Sequence, residues 1–479
     1  MTSSWTSFGG DLHLDLTERR AAGTGLRAAL EDALREAVQD GRLAPGTRLP
    51  SSRALGEDLG IARNTVVEAY GQLTAEGWLD SRQGSGTTVA RRAVPEPPAP
   101  NRRADAGPAR QRRTARHDLT AGRPDLSLFP RTAWLSAARR ALATAPHEAL
   151  DYGSPLGRIE LRQALTHYLA RVRGVRTDPD HLLICTGVTQ GLGLLCAALR
   201  ERGARTLAVE EYGLPPQHAV VRAAGLAPAP LPLDDDGARV DLLDARPGAV
   251  LLTPAHQYPT GAPLSAERRA ETVRWAREQD RYVIEDDYDG EFRYDRQPLG
   301  AMQALDPDRV VYAGTAAKSL APGLRLAWLA LPDALVEPVA RLKALADAMS
   351  PVLDQLTLAE LITSGTYDRH VRRCRLHYRR RRDRLVAALA EHAPHVRVTG
   401  IAAGLHAVLR LPPGSTPEPE LLARAQAVGL SLNGLARHRA VPAAAGAEAP
   451  PALVIGYATP PDHAFPAAVQ ALCDLLRRA

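Results

Sequence analysis

At 479 residues, with 45% hydrophobic and 24% charged side chains, the chain has the composition of a globular protein but is longer than one core usually allows, roughly 250–300 residues. No run approaches the ~20 apolar residues that cross a bilayer, and the N-terminal MTSSWTSFGGDLHLDL is not built as a secretory leader. A cytoplasmic protein with no membrane partner is therefore expected. The net charge of +6 is concentrated in residues 91–117, where eight arginines face two acidic residues.

In chain order, Leu26, Leu30, Ala33, Leu34, Ala37 and Val38 recur at helical spacing and predict an amphipathic helix over 24–39. Gly41, Pro45 and Gly46 end it. Ser51 or Ser52 is placed to cap a second helix, Arg53 to Leu59, which Gly60 closes. A third helix is predicted from Arg63 to Glu76, with Val66, Ala69, Tyr70 and Leu73 as its buried stripe. Two short β runs then flank the glycine-rich Arg82-Gln-Gly-Ser-Gly86. Three helices and a hairpin in about ninety residues outline a winged helix-turn-helix. Arg63, Asn64 and Thr65 open the third helix, at the end a recognition helix points toward bases and phosphates. Arginine pairs with guanine and asparagine with adenine; Asn64 and Thr65 are equally suited to capping the helix.

The segment from Gly41 to Val89, GRLAPGTRLPSSRAL…IARNTVVEAYGQLTAEGWLDSRQGSGTTV, resembles the GntR family of bacterial transcription regulators. The resemblance implies that Arg53, Arg63, Asn64 and Thr65, with Gly84 at the wing tip, face double-stranded operator DNA. Residues 1–90 are thus expected to form the DNA-binding domain. Residues 91–117, RRAVPEPPAPNRRADAGPARQRRTARH, lack hydrophobic periodicity and form a Pro- and Ala-rich linker. Its arginines either touch phosphate backbone or form a solvated tether.

From about residue 118 to 479, short apolar β runs alternate with helical stretches, which argues for a mostly parallel sheet covered by helices. Strands are expected over 182–185, 206–209, 249–252, 282–285 and 310–313. Functional residues belong at their C-terminal ends. Thr186-Gly-Val-Thr189 follows one such strand and opens a helix, as a phosphate-cradling turn does. Asp286 and Tyr288 follow another. Lys318 follows a third, within GTAAKSLAPGLR. It is one of only two lysines in the chain, and an amine can condense with an aldehyde where a guanidinium cannot. Arg325, seven residues on, is suited to holding a phosphate. Taken singly these are an acidic surface turn or a solvated loop lysine; in this order they describe a pyridoxal phosphate pocket. The second lysine, Lys343, lies in a helical pattern and reads as solvated. Cys185, Cys196, Cys374 and Cys473 have neither metal-ligand nor disulfide-scaffold spacing, so reduced thiols and no metal site are expected.

Tyr152-Gly-Ser-Pro-Leu-Gly157, Thr253-Pro-Ala-His-Gln-Tyr-Pro-Thr-Gly261, Ile284-Glu-Asp-Asp-Tyr-Asp-Gly-Glu-Phe292 and the lysine segment resemble the fold-type-I aminotransferase domain of the MocR/GabR regulators. That subfamily joins such a domain to a winged helix. The resemblance implies a homodimer in which Lys318 forms a Schiff base with pyridoxal phosphate and Asp286 pairs with the ring nitrogen. It also implies that Tyr288 binds the phenolic oxygen, that Arg325, Thr315, Val188 and Thr189 hold the phosphate, and that Tyr152 reaches the partner's cofactor. Three departures stand out: Leu214 replaces the stacking aromatic unless Tyr212 substitutes, Ala317 replaces a phosphate-binding serine, and Val454 occupies the place of the substrate-carboxylate arginine. Arg437 and Arg439 are the available compensations. These changes weaken amino-acid transamination more than aldehyde capture. The expectation is a regulator whose effector is pyridoxal phosphate itself or an amine or amino acid; the alternative is a working aminotransferase carrying a DNA-binding module.

Overall fold

The computed structural model describes residues 25–82, 86–91, 115–294, 299–441 and 450–477. Gly84 and nearly all of the basic segment lie outside them. The chain divides into two compact units, Met1–Asp105 and Ala106–Ala479.

In the first unit, α1 (Leu26–Gln39), α2 (Ser52–Leu59) and α3 (Arg63–Ala75) precede an antiparallel hairpin of β1 (Leu79–Arg82) and β2 (Gly86–Val89). The apolar stripe of α1 packs on Val66, Ala69, Tyr70 and Leu73 of α3, and Leu79 and Val89 close the same core. The hydrophobic effect contributes about 1.5–3 kcal/mol for each fully buried leucine. Ser51 is the N-cap of α2, its hydroxyl accepting the Ala54 N–H at 3.2 Å. Gly60 ends that helix at φ 63°, a left-handed conformation that favours glycine. Arg35 of α1 donates to both carboxylate oxygens of Glu76, at 2.9 and 2.8 Å, and so ties α1 to the end of α3.

The second unit is built on a seven-stranded sheet in the order 182–185, 327–330, 310–315, 282–286, 249–252, 206–210, 227–231. Strand Ala327–Ala330 runs antiparallel to both neighbours and the other pairs are parallel. Most of these strands are buried along their whole length, as a sheet covered on both faces requires. Three strands run further than the sequence pattern suggests, Thr206–Glu210, Tyr282–Asp286 and Val310–Thr315. Asp286 and Thr315 are therefore the last residues of strands rather than loop residues. After the 27-residue helix Thr366–His392, a smaller four-stranded antiparallel sheet (397–399, 407–410, 452–455, 433–434) forms with its own hydrophobic cluster. His117–Asp118 pairs in parallel with Leu430–Ser431, which anchors the start of the unit onto this C-terminal part. No helix among the described residues is long and apolar enough to cross a membrane.

Candidate functional site

The C-terminal ends of the central strands open into a cavity of about 300 Å³, a volume at the lower end of small-molecule sites. Lys318, Asp286, Tyr288, Arg325, Thr315, Val188 and Thr189 all line it. Tyr152 does not: it is 88% exposed on this chain's surface.

At one end, strand Leu182–Cys185 runs through Thr186 and Gly187 into the helix Val188–Glu201. Gly187 is the helix N-cap, at φ 97° and with no side-chain cap, so the first turn presents backbone N–H groups and the positive end of the helix dipole. A Cβ on Gly187 would lie 2.4 Å from the Arg325 guanidinium. Only glycine lets that side chain fold over the turn, where it donates to the Thr186 carbonyl at 2.6 Å. The Thr315 hydroxyl donates to the Leu326 carbonyl at 3.2 Å and accepts the Ala317 N–H at 3.1 Å. Together these groups make a cup for an anion.

In the middle, Lys318 Nζ donates to the Gly122 carbonyl at 2.6 Å. Desolvation by the surrounding protein lowers its pKa, against the opposing charges of Asp286 and Asp289. Asp286 is buried; one carboxylate oxygen accepts from the Gln217 amide, while Oδ1 has no hydrogen-bond partner. Burial raises the Asp286 carboxyl to about 6, with the Gln217 bond opposing. Its neighbour Asp287 is committed elsewhere, gripped by Arg173 at 2.6 and 2.9 Å and by the Tyr312 hydroxyl at 2.7 Å. Of the two adjacent carboxylates, then, only Asp286 has an oxygen to offer.

The Tyr288 hydroxyl lies 3.0 Å from His256 Nδ1, which is 2.9 Å from Asp289 Oδ2. His406, whose ring is 5.2 Å from that of His256, donates to the Pro259 carbonyl. His256, Asp289 and His406 bring possible ligand atoms within 4.8 Å of one another; of the three, His256, itself bonded to Asp289, bears on the Tyr288 hydroxyl.

The three departures take physical form. Leu214 lines the cavity. Tyr212 does not replace it: this ring stacks under Arg439 at 5.0 Å and packs against Val408, Leu435, Ala452 and Val454. Arg439 also pairs with Glu211 at 3.2 Å, and Arg437 is exposed. Val454 is fully buried in the smaller sheet, and every described residue lining the cavity precedes residue 326. His218, one turn beyond Leu214, lines the cavity with an imidazole that desolvation pushes down to about 4, so it is a neutral ring at pH 7. Arg123, Gln217, Glu210 and Tyr258 also line the cavity without having been singled out by sequence.

One expectation is overturned. Lys343 is not solvated: it is fully buried, 2.6 Å from Asp347, because the helix Asp333–Asp347 packs this face against the helix Val188–Glu201.

On the first unit, Arg63 and Asn64 are exposed and Thr65 half-buried at the start of α3. The N-cap is Ala62, with no side-chain cap, so neither Asn64 nor Thr65 serves as the cap. Arg53 is exposed on α2 and pairs with Glu57 at 3.1 Å.

Pyridoxal phosphate has an aldehyde, a ring nitrogen and a phosphate. The depressed Lys318 amine, the unpartnered Asp286 oxygen and the Gly187–Arg325 cup fit these three groups in turn. Residues 26–89 match the model of bacterial regulatory proteins of the gntR family, and residues 117–427 match aminotransferase class I and II. The pyridoxine biosynthesis transcriptional regulator PdxR of Corynebacterium glutamicum is 33% identical over 402 residues, covering 81% of this chain and 83% of its own. The probable rhizopine catabolism regulatory protein MocR of Rhizobium meliloti is 32% identical over 436 residues, covering 87% and 88%. Among solved structures, a multiple substrate aminotransferase from Thermococcus profundus superposes with a TM-score of 0.68 at 24% identity, over 76% of this chain and 91% of its own. The kynurenine aminotransferase of Pyrococcus horikoshii gives 0.69 at 23%, over 77% and 93%. The chain belongs to the MocR branch of the gntR family of transcription regulators, in which a DNA-binding winged helix is joined to a domain with the fold of pyridoxal phosphate-dependent aminotransferases.

Proposed function

We propose that this regulator binds operator DNA through α3 and the wing, and that its signal is pyridoxal phosphate bound in the cavity around Lys318. The observation that carries the reading is the meeting, in one cavity, of an amine, an unpartnered buried carboxylate oxygen and an anion cup. When bound, the cofactor supplies an aldehyde that condenses with amines. The chain's own residues do the rest. The lowered pKa of Lys318 raises the fraction present as the neutral nucleophile. Asp286 Oδ1 accepts a ring N–H, and the Tyr288 hydroxyl, steadied by His256, faces the ring's oxygen. Arg325, Thr315 and the first turn at Val188 and Thr189 hold the phosphate. Tyr152, exposed here, reaches the second subunit's cavity in a homodimer.

A sensor of the cofactor is preferred over a working aminotransferase because, among the described residues, no arginine of the C-terminal part lines the cavity. A second reading, an amino acid as effector, is favoured by Arg123. It lines the same cavity beside Gly122, and its Nε is buried without a partner, which leaves a donor for a carboxylate.

Absorbance titration with pyridoxal phosphate tests both readings. A new visible band is expected in the wild type and should be absent from Lys318→Ala, with unchanged circular dichroism. A band of equal strength in that variant would sink the assignment of Lys318. A wild-type band that amino acids leave unmoved supports a cofactor sensor; one that they shift supports the amino-acid effector.

A further inference from the structure

The two lysines of this arginine-rich chain converge on the same site. Lys343 Nζ donates to Asp347 Oδ1 at 2.6 Å. The other oxygen of Asp347 accepts from Gln190 Nε2, also at 2.6 Å. Gln190 Oε1 in turn accepts the Thr186 N–H at 2.8 Å and the Thr186 hydroxyl at 3.0 Å. The Thr186 carbonyl receives Arg325 at 2.6 Å. This unbroken polar chain leads from a fully buried ammonium to the guanidinium of the anion cup. It has one direction, because Gln190 uses its amide nitrogen toward the carboxylate and its oxygen toward the turn.

A lysine suits the buried end. A compact ammonium with three donors fits a fully enclosed pocket beside one carboxylate oxygen, whereas a planar guanidinium brings five donors to satisfy. Asp347, by contrast, retains 27% of its side-chain exposure. Without Lys343, it would hold Gln190 with less charge compensation, and the Thr186–Gly187 turn would lose its outer anchor. The cup that depends on this turn has no side-chain cap of its own.

We propose that Lys343, Asp347 and Gln190 are positioning residues for the phosphate end of the cavity, so that the buried lysine sets how strongly the site prefers a phosphorylated aldehyde. This rests on the cofactor reading above and deepens it. The test is visible-band titration of the full chain with pyridoxal phosphate and, separately, with unphosphorylated pyridoxal. Lys343→Met and Asp347→Ala are each expected to weaken pyridoxal phosphate binding about tenfold, within the range of measured coupling through such networks, and to leave pyridoxal binding within about twofold. The two substitutions combined should cost no more than the larger single one. Should Lys343→Met not fold, the partly exposed Asp347→Ala carries the test alone. Equal weakening toward both aldehydes, or no weakening toward either, overturns the relay. A wild type that gives no band with either aldehyde overturns instead the cofactor reading on which it rests.

Discussion

Desolvation lifts the Asp286 carboxyl from an ordinary 3.8 to about 6, so the folded state holds its proton more tightly than the unfolded chain does. The sign follows: at pH above about 6 the ionised group costs stability, and the cost vanishes once both states are protonated, below about pH 4. Asp286→Asn should therefore stabilise the ligand-free protein at pH 7 by on the order of 3 kcal/mol while weakening pyridoxal phosphate binding. Thermal melts at pH 7 and pH 4 check this, and an equal gain at both values would contradict it. The site was partly legible from single residues. Lys318 stood out because a lysine is rare here, and Asp286 because it ends an apolar run. Arg123, Gln217 and His218 were not legible, being common residue types brought to the cavity from segments far from Lys318 in sequence. Lys343 was misread because a helical repeat does not reveal which polar residue faces a neighbouring helix. Its burial beside Asp347 is a tertiary fact.

Helix and strand boundaries were legible where a cap or glycine marked them, as at Ser51 and Gly60. They failed by one or two residues where a strand continues through a polar residue into a site, as at Asp286 and Thr315. A polar strand end reads as a loop because burial, not residue type, keeps it in the sheet. In the winged unit, the contact between α1 and the end of α3 rests on Arg35 and Glu76. Hydrogen bonds from Arg35 and then Gln72 depress the Glu76 carboxyl from 4.5 to about 2. Since the folded value lies below the unfolded one, the contribution is complete above about pH 4.5 and is lost as pH falls toward 2. Glu76→Gln should accordingly lower the melting temperature of this unit at pH 6 and converge with the wild type near pH 2. A constant difference across that range would show that the carboxylate's charge is not what ties the helices.

Over the whole molecule, thermodynamics constrains any coupling between the two units. If pyridoxal phosphate changes operator affinity by some factor, operator DNA must change pyridoxal phosphate affinity by the same factor. Titrating the cofactor with and without an operator fragment at fixed salt measures it. Arg63→Ala should weaken operator binding by about 1–3 kcal/mol without altering the visible band of the free protein, and equal operator affinity in that variant would refute the docking of α3. Salt must be held constant, because phosphate contacts release counterions. Lys318 is held by the Gly122 carbonyl, and Gly122 lies a few residues beyond His117, which pairs with Leu430. An aldehyde that takes the lysine nitrogen must share or break that bond. The carbonyl it must compete with belongs to the same short stretch of chain that pairs with Leu430–Ser431.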